Sequence, residues 1–318
     1  MFTWQKLGKI FDPTDYPGRS WMKEFAQAPA TLVYKDFVRV FFSCRPASDE
    51  NGQYVSYSGY VDLDRSCREV LRVSDKPILE LGGLGAFDEF GTYPTSVVRY
   101  EGKVFAYYAG WSRCQSVPFN VSIGLAISND DGYSFERVGV GPVLSYAPFE
   151  PLLIAGPKIR RFNNEFYLWY LSGNKWLSND GRPEQVHKIR MATSEDGIEW
   201  HRFGRDIIID KLEVNECQAS PDVFFYKDRY HMFFCYRYST GYRGHERGYR
   251  IGYAYSYDLN HWTRDDEKAG IDVSKDGWDS EMISYPHILE LEGVLYMFYL
   301  GNHVGKFGFG LARLINYS

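Results

Sequence analysis

Four glutamates share one repeated position in this 318-residue chain: Glu24, Glu89, Glu216 and Glu281 each lie five residues before a proline (Pro29, Pro94, Pro221 and Pro286). A fifth proline, Pro157, has Leu152 at that place and Glu150 two residues earlier, and Asp88 and Asp279 add to the group. Carboxylates brought together push their pKa values apart, because repulsion and desolvation both disfavour the second charge. One acid and one base result, the pair that general acid–base or nucleophilic chemistry needs. The plain alternative is that each carboxylate caps a turn or pairs with an arginine. A fold has no need of a ring of like charges, so the repeated position reads as a site.

A second set follows each proline by 16 to 19 residues: Arg45, Arg113, Lys175, Arg237 and His303. Trp111, Trp176 and Tyr236 stand beside them, and Lys158 and His287 directly follow Pro157 and Pro286. Cations of this kind either neutralise the carboxylates or grip an anionic group on a substrate. The aromatic faces suit a sugar ring, with its apolar C–H faces and hydroxyl edges. Arg243 and His245, in the polar stretch "GYRGHERGY", are rim-loop candidates for contact with the same ligand.

These residues converge only if the elements carrying them repeat in space. The five prolines are separated by 65, 63, 64 and 65 residues. Each opens the same series: a short apolar strand, a polar turn, a very aromatic strand ("VFFSCR", "VFAYYAGW", "MFFCYR"), a third strand, a tight turn and a fourth strand. Asp-Gly between strands is a hairpin signal, and no segment keeps a helical period. Five such units in radial array predict an all-β, five-bladed β-propeller with four antiparallel strands per blade, a single domain over residues 1–318. The fifth unit ends after its third strand. "TWQKLGKI" from Thr3 resembles "EWHRFGRDI" from Glu199, so the N-terminal strand is expected to complete the last blade and leave no open edge. In this fold first strands line the central channel, and the repeated carboxylates and cations should gather at one mouth of it.

The net charge of −5 and the lack of a basic tract argue against nucleic acid. No apolar run has the length to span a membrane. Five cysteines without a CxxC pair read as free thiols of a reducing compartment, and hence a cytoplasmic location. The seven histidines show no paired ligand spacing, and no Walker loop or Gly-x-Ser-x-Gly elbow occurs. No metal or other cofactor is therefore expected, except that His287 pointing into the channel could border a water or a cation such as calcium.

The five units, the carboxylate before each inner strand and the turns "SNDDGYSF" and "SEDGIEW" resemble the five-bladed propeller glycosidases, a superfamily of arabinanases, xylosidases, invertases, levansucrases and mannoside phosphorylases. "GWDSEMISYPHI", "FFCYR" and "GYRIGYAYS" are more closely similar to uncharacterised "glycosylase" proteins encoded beside bacterial surface-polysaccharide genes. The resemblance implies a general acid, a base or nucleophile and a third, tuning carboxylate. Glu216 in "NEC" matches the acid by place, and Glu24 is the positional match in the first blade. The arabinanase-type Asp directly before the inner-strand proline is missing: that position holds Ala28, Tyr93, Gly156, Ser220 and Tyr285. The leading expectation is a glycoside hydrolase using paired carboxylates on a carbohydrate. A glycoside phosphorylase or glycosyl-transferring enzyme that holds phosphate with the Arg/Lys ring is the second, and a non-catalytic glycan-binding propeller the third.

Overall fold

The computed structural model describes residues 1–212 and 215–318. β1 (Phe2–Phe11) is followed by blade 1, formed by β2 (Glu24–Val33), β3 (Val38–Arg45), β4 (Tyr57–Leu63) and β5 (Val70–Val73). Blade 2 holds β6 (Gly91–Tyr100), β7 (Lys103–Arg113), β8 (Phe119–Ser128) and β9 (Glu136–Arg137). Blade 3 holds β10 (Ile154–Phe162), β11 (Glu165–Asn179), β12 (Arg182–Ser194) and β13 (His201–Arg202). Blade 4 holds β14 (Cys217–Tyr226), β15 (Arg229–Arg237), β16 (Arg250–Ser256) and β17 (Thr263–Arg264). Blade 5 holds β18 (Ser284–Leu291), β19 (Val294–Leu300) and β20 (Phe309–Tyr317), with β1 pairing antiparallel to β20 as its fourth strand. The five-bladed propeller and its closure by the N-terminal strand follow the expectation from the repeat.

Local chemistry explains the blades. Tight turns join first and second strands at Glu101-Gly102, Asn163-Asn164 and Glu292-Gly293, where both residues have positive φ, as two-residue primed hairpins require. Between third and fourth strands, Asp130, Asp196 and Asp258 accept two main-chain N–H bonds each from the residues just beyond them. These bonds hold all three carboxyls below the usual range, Asp130 at about 2, with its Ser134 hydroxyl partner and the other bonds outweighing desolvation.

The core is divided among the blade interfaces. Val38, Val40 and Phe42 of blade 1 pack against Leu289, Phe298 and Leu311 of blade 5, and similar clusters join blades 1 and 2, 2 and 3, 3 and 4, and 4 and 5. The last of these includes Phe2 and Trp4, so the N-terminal strand is packed as well as paired. Glycines at both ends of β1 allow its close approach: a Cβ on Gly270 would lie 1.9 Å from the Phe2 carbonyl oxygen, and one on Gly308 1.8 Å from that of Phe11.

Candidate functional site

Every inner strand changes register at its proline: between Gln27 and Ala30, Thr92 and Thr95, Ala155 and Lys158, Ala219 and Asp222, and Ser284 and His287. The residue before the proline has positive φ at Ala28 (51°), Gly156 (60°), Ser220 (49°) and Tyr285 (50°). A left-handed non-glycine residue costs roughly 1–3 kcal/mol and clusters at functional sites, and a bulge re-aims the side chain it carries. Here the bulges bring Tyr93, Gly156 and Tyr285 to the wall of a central cavity of about 760 Å³.

Polar residues on that wall include Arg45, Arg113, Arg237, Arg243, Lys306, His187 and His303, and aromatic ones include Phe25, Tyr54, Tyr93, Trp111, Tyr242, Tyr249 and Tyr285. Among the described residues no aspartate or glutamate lines it. Three of the cations have a carboxylate behind them: Arg243 meets Glu184 at 2.8 Å, Lys306 meets Glu24 at 3.3 Å, and Arg113 reaches Asp49 at 3.7 Å. Arg237 is 3% exposed and, among the described residues, donates to the main-chain oxygens of Tyr238 and Ser239 and pairs with no carboxylate. Its guanidinium lies 3.5 Å from the Tyr242 ring centre, and its Nε has no hydrogen-bond partner. His187, 2% exposed, donates Nδ1–H to the Gln218 carbonyl at 2.8 Å, which leaves the Nε2 lone pair as the free end of the ring. Burial first, and the Arg237 charge second, depress its pKa to about 3, so the imidazole is neutral.

The expected ring of carboxylates does not form at this cavity. Asp88 is buried against Arg137 (2.8 Å) and the Tyr108 hydroxyl (3.0 Å). Glu150 accepts from Tyr170 (2.7 Å) and is ion-paired with Arg202. Asp279 meets Lys6 (2.7 Å) and the Tyr299 hydroxyl (3.0 Å). Glu216 meets Arg264 (2.7 Å) and accepts from the main-chain N–H groups of Lys211 and Leu212. In each case the cation belongs to the fourth strand of the same blade, so these carboxylates lock the inner loop to the outer edge. Glu89 accepts from the Gly85 N–H, and Glu281 is half-buried, off the cavity wall. Glu24 alone of the seven contacts wall residues, Lys306 and the Tyr54 hydroxyl, both at 3.3 Å.

Of the expected substrate contacts, the structure gathers Arg45, Trp111, Arg113, Arg237, Arg243 and His303 on the wall. Tyr236 faces Arg264 instead (4.6 Å), Trp176 packs on Phe119, and Lys175 and His245 are exposed off the wall. Lys158 and His287 lie in the channel. His287 Nε2 accepts from the Thr31 N–H at 3.0 Å, which places its proton on Nδ1, 3.1 Å from Asp222. Asp222 also takes Arg160 in a two-oxygen pair, so its charge is already met by protein cations. No cluster of three His, Cys, Asp or Glu suited to a metal occurs among the described residues. His187 escaped the repeat reading because it sits on a third strand. Tyr93 and Tyr285 carried a signal, occupying the repeated position before the proline. All five cysteines are free thiols, four buried and Cys114 exposed, and no helix among the described residues is long and apolar enough to cross a membrane.

The fold is that of a five-bladed β-propeller with a central cavity on its axis. A structure described as a glycoside hydrolase superposes with TM-score 0.78 at 17% identity, covering 98% of this chain and 92% of that one. A β-1,2-mannobiose phosphorylase from Listeria innocua superposes with TM-score 0.69 at 13% identity, over 99% and 97%. No protein-family model matches the chain. It is 34% identical over 315 residues to the uncharacterized protein Rv1502 of Mycobacterium tuberculosis, 98% of this chain and 99% of that protein, and it belongs to that protein's family. A 106-residue stretch is 30% identical to a β-1,2-mannobiose phosphorylase of Thermoanaerobacter, covering 31% of this chain and 33% of that enzyme.

Proposed function

We propose that the protein transfers a glycosyl group to or from phosphate, with the sugar held against the tyrosines of the cavity. The observation that carries this is Arg237: a buried guanidinium on the wall that has no carboxylate partner among the described residues and keeps a free Nε. An uncompensated buried cation is costly, and a phosphate oxygen supplies the missing charge and hydrogen bonds. His187 is the proton acceptor. In the synthetic direction an acceptor hydroxyl attacks the anomeric carbon of a glycosyl phosphate, and the bond from that carbon to the phosphate oxygen breaks. The hydroxyl proton passes to Nε2, and phosphate leaves on Arg237. A phosphate at Arg237 offsets the charge that depresses His187, raising its basicity when donor is bound. The partial likeness to a phosphorylase supports the same reading.

The test is phosphate release from a panel of glycosyl 1-phosphates, with and without mono- and disaccharide acceptors. Acceptor-dependent release in the wild type, with Arg237→Met binding inorganic phosphate at least ~10-fold more weakly, is the expected result. Failure of inorganic phosphate to bind in calorimetry overturns it. A hydrolytic reading keeps one specific support, the contact of Glu24 with Lys306 and Tyr54. Acceptor-independent sugar release abolished by Glu24→Gln would favour that reading.

A further inference from the structure

Arg237 and Arg45 stand at opposite ends of one aromatic floor. The Arg237 guanidinium is 5.3 Å from the Tyr249 ring centre, Tyr249 is 6.0 Å from Tyr285, Tyr285 and Tyr93 line the same wall, and Tyr93 is 6.0 Å from the Arg45 guanidinium. Arg45 is also boxed by Phe25 (4.5 Å) and Tyr54 (5.3 Å). It pairs in register with Glu24 across the β2–β3 ladder, yet Glu24 turns to Lys306, and among the described residues Arg45 makes no ion pair and keeps a buried, unpartnered Nε. Arg113 lies beside it, donating to the Tyr54 carbonyl at 3.1 Å. Arg237 and Arg45 are the two wall arginines without a carboxylate partner among the described residues, and a phosphate held by Arg237 would meet the charge at one end only.

We propose that Arg45, with Arg113, forms a second anion subsite that takes the carboxylate of an acidic sugar. This rests on the phosphate-transfer reading for the other end of the floor. The planar guanidinium matches a carboxylate bidentately, Tyr54 and Phe25 fix its plane, and the tyrosines between the two ends offer faces for the sugar ring. The substrate class is thus a uronic-acid-type glycan.

Calorimetry with glucuronic acid, glucose and inorganic phosphate tests this. Glucuronic acid should bind at least ~10-fold more tightly than glucose, and should bind equally well to protein saturated with phosphate. Arg45→Met should abolish the preference and leave the phosphate affinity unchanged, which also shows that the variant is folded. Arg45→Lys should recover little of it, because the fork is lost. Glucuronic acid binding no better than glucose overturns the proposal. So does competition with phosphate at a single site lost in Arg237→Met, or a second phosphate bound at Arg45 in place of the sugar acid. If phosphate does not bind at all, the transfer reading fails instead, whatever glucuronic acid does.

Discussion

The carboxylate of Glu216 and the guanidinium of Arg264 meet at 2.7 Å with side-chain exposures of 0% and 5%. Their contact ties the loop before blade 4 to that blade's outermost strand. Breaking a buried pair from one side leaves an uncompensated charge. Arg264→Met strands both Glu216 and Asp266, the latter 3.0 Å from the guanidinium, and should cost about 3–5 kcal/mol. Glu216→Gln leaves Arg264 its Asp266 partner and should cost less, about 1–3 kcal/mol. Urea denaturation of the two variants checks the order.

His187→Gln keeps a polar side chain but has no basic lone pair in place of Nε2. Glycosyl transfer should fall by about 10²–10⁴-fold, with inorganic phosphate affinity changed by less than ~3-fold. Parallel rate and calorimetric measurements separate proton transfer from binding; equal losses in both would assign His187 to binding alone.

Three histidines are buried as neutral rings. Burial is the largest cause in each, and it lowers His187 to about 3, and His231 and His287 to about 4. Their folded pKa values lie below the ordinary histidine value of about 6.5. Over that window the unfolded chain binds more protons, so stability is complete above about pH 6.5 and is lost as pH falls toward 4. The slope is at most about 1.4 kcal/mol per pH unit for each histidine. Denaturation midpoints between pH 7 and 4 should fall accordingly. His231→Phe, which loses the bond to Tyr253 at 2.7 Å, should flatten the dependence while lowering stability at pH 7.

Closure of the ring depends on β1. Phe2 is fully buried against Phe233, Tyr253 and Tyr317, and Phe2→Ala should cost about 3–5 kcal/mol. Gly308→Ala combines a φ of +95° with a Cβ 1.8 Å from the Phe11 oxygen. It should speed hydrogen exchange at β1 and β20 more than elsewhere, as measured by mass spectrometry.

The repeat revealed the architecture because each blade meets the same packing problem and solves it with the same apolar and aromatic strands. Arg45, Arg113, Arg237 and His303 reach the cavity wall for a related reason: they end second strands or follow them closely, and those ends return to the mouth, whereas Lys175 lies within the long β11 and is exposed off the wall. The carboxylates were misleading. Asp88, Glu150, Glu216 and Asp279 all fall shortly before an inner-strand proline, but spacing carries no information on whether a side chain turns inward to the channel or outward to the fourth strand. Arg137, Arg202, Arg264 and Lys6 decide that, from 49, 52 and 48 residues later in three blades and from the opposite end of the chain in the last. His187 was invisible for want of a pattern: its orientation comes from the Gln218 carbonyl and its neutrality from burial and Arg237, all of which only the fold supplies.

The bulge before each proline separates what holds the ring together from what the ring does. Blade interfaces carry the packing, while of the five sockets at positions 28, 93, 156, 220 and 285 three present their occupants to the cavity wall. Ala28 and Ser220 already adopt positive φ, which aspartate tolerates better than most residues. Gly156 is the stiffer socket, since a Cβ would come within 3.2 Å of Leu171. A lineage built on this scaffold can therefore reshape its cavity by single replacements at known addresses, and Tyr93 and Tyr285 are the aromatic walls this chain has set there.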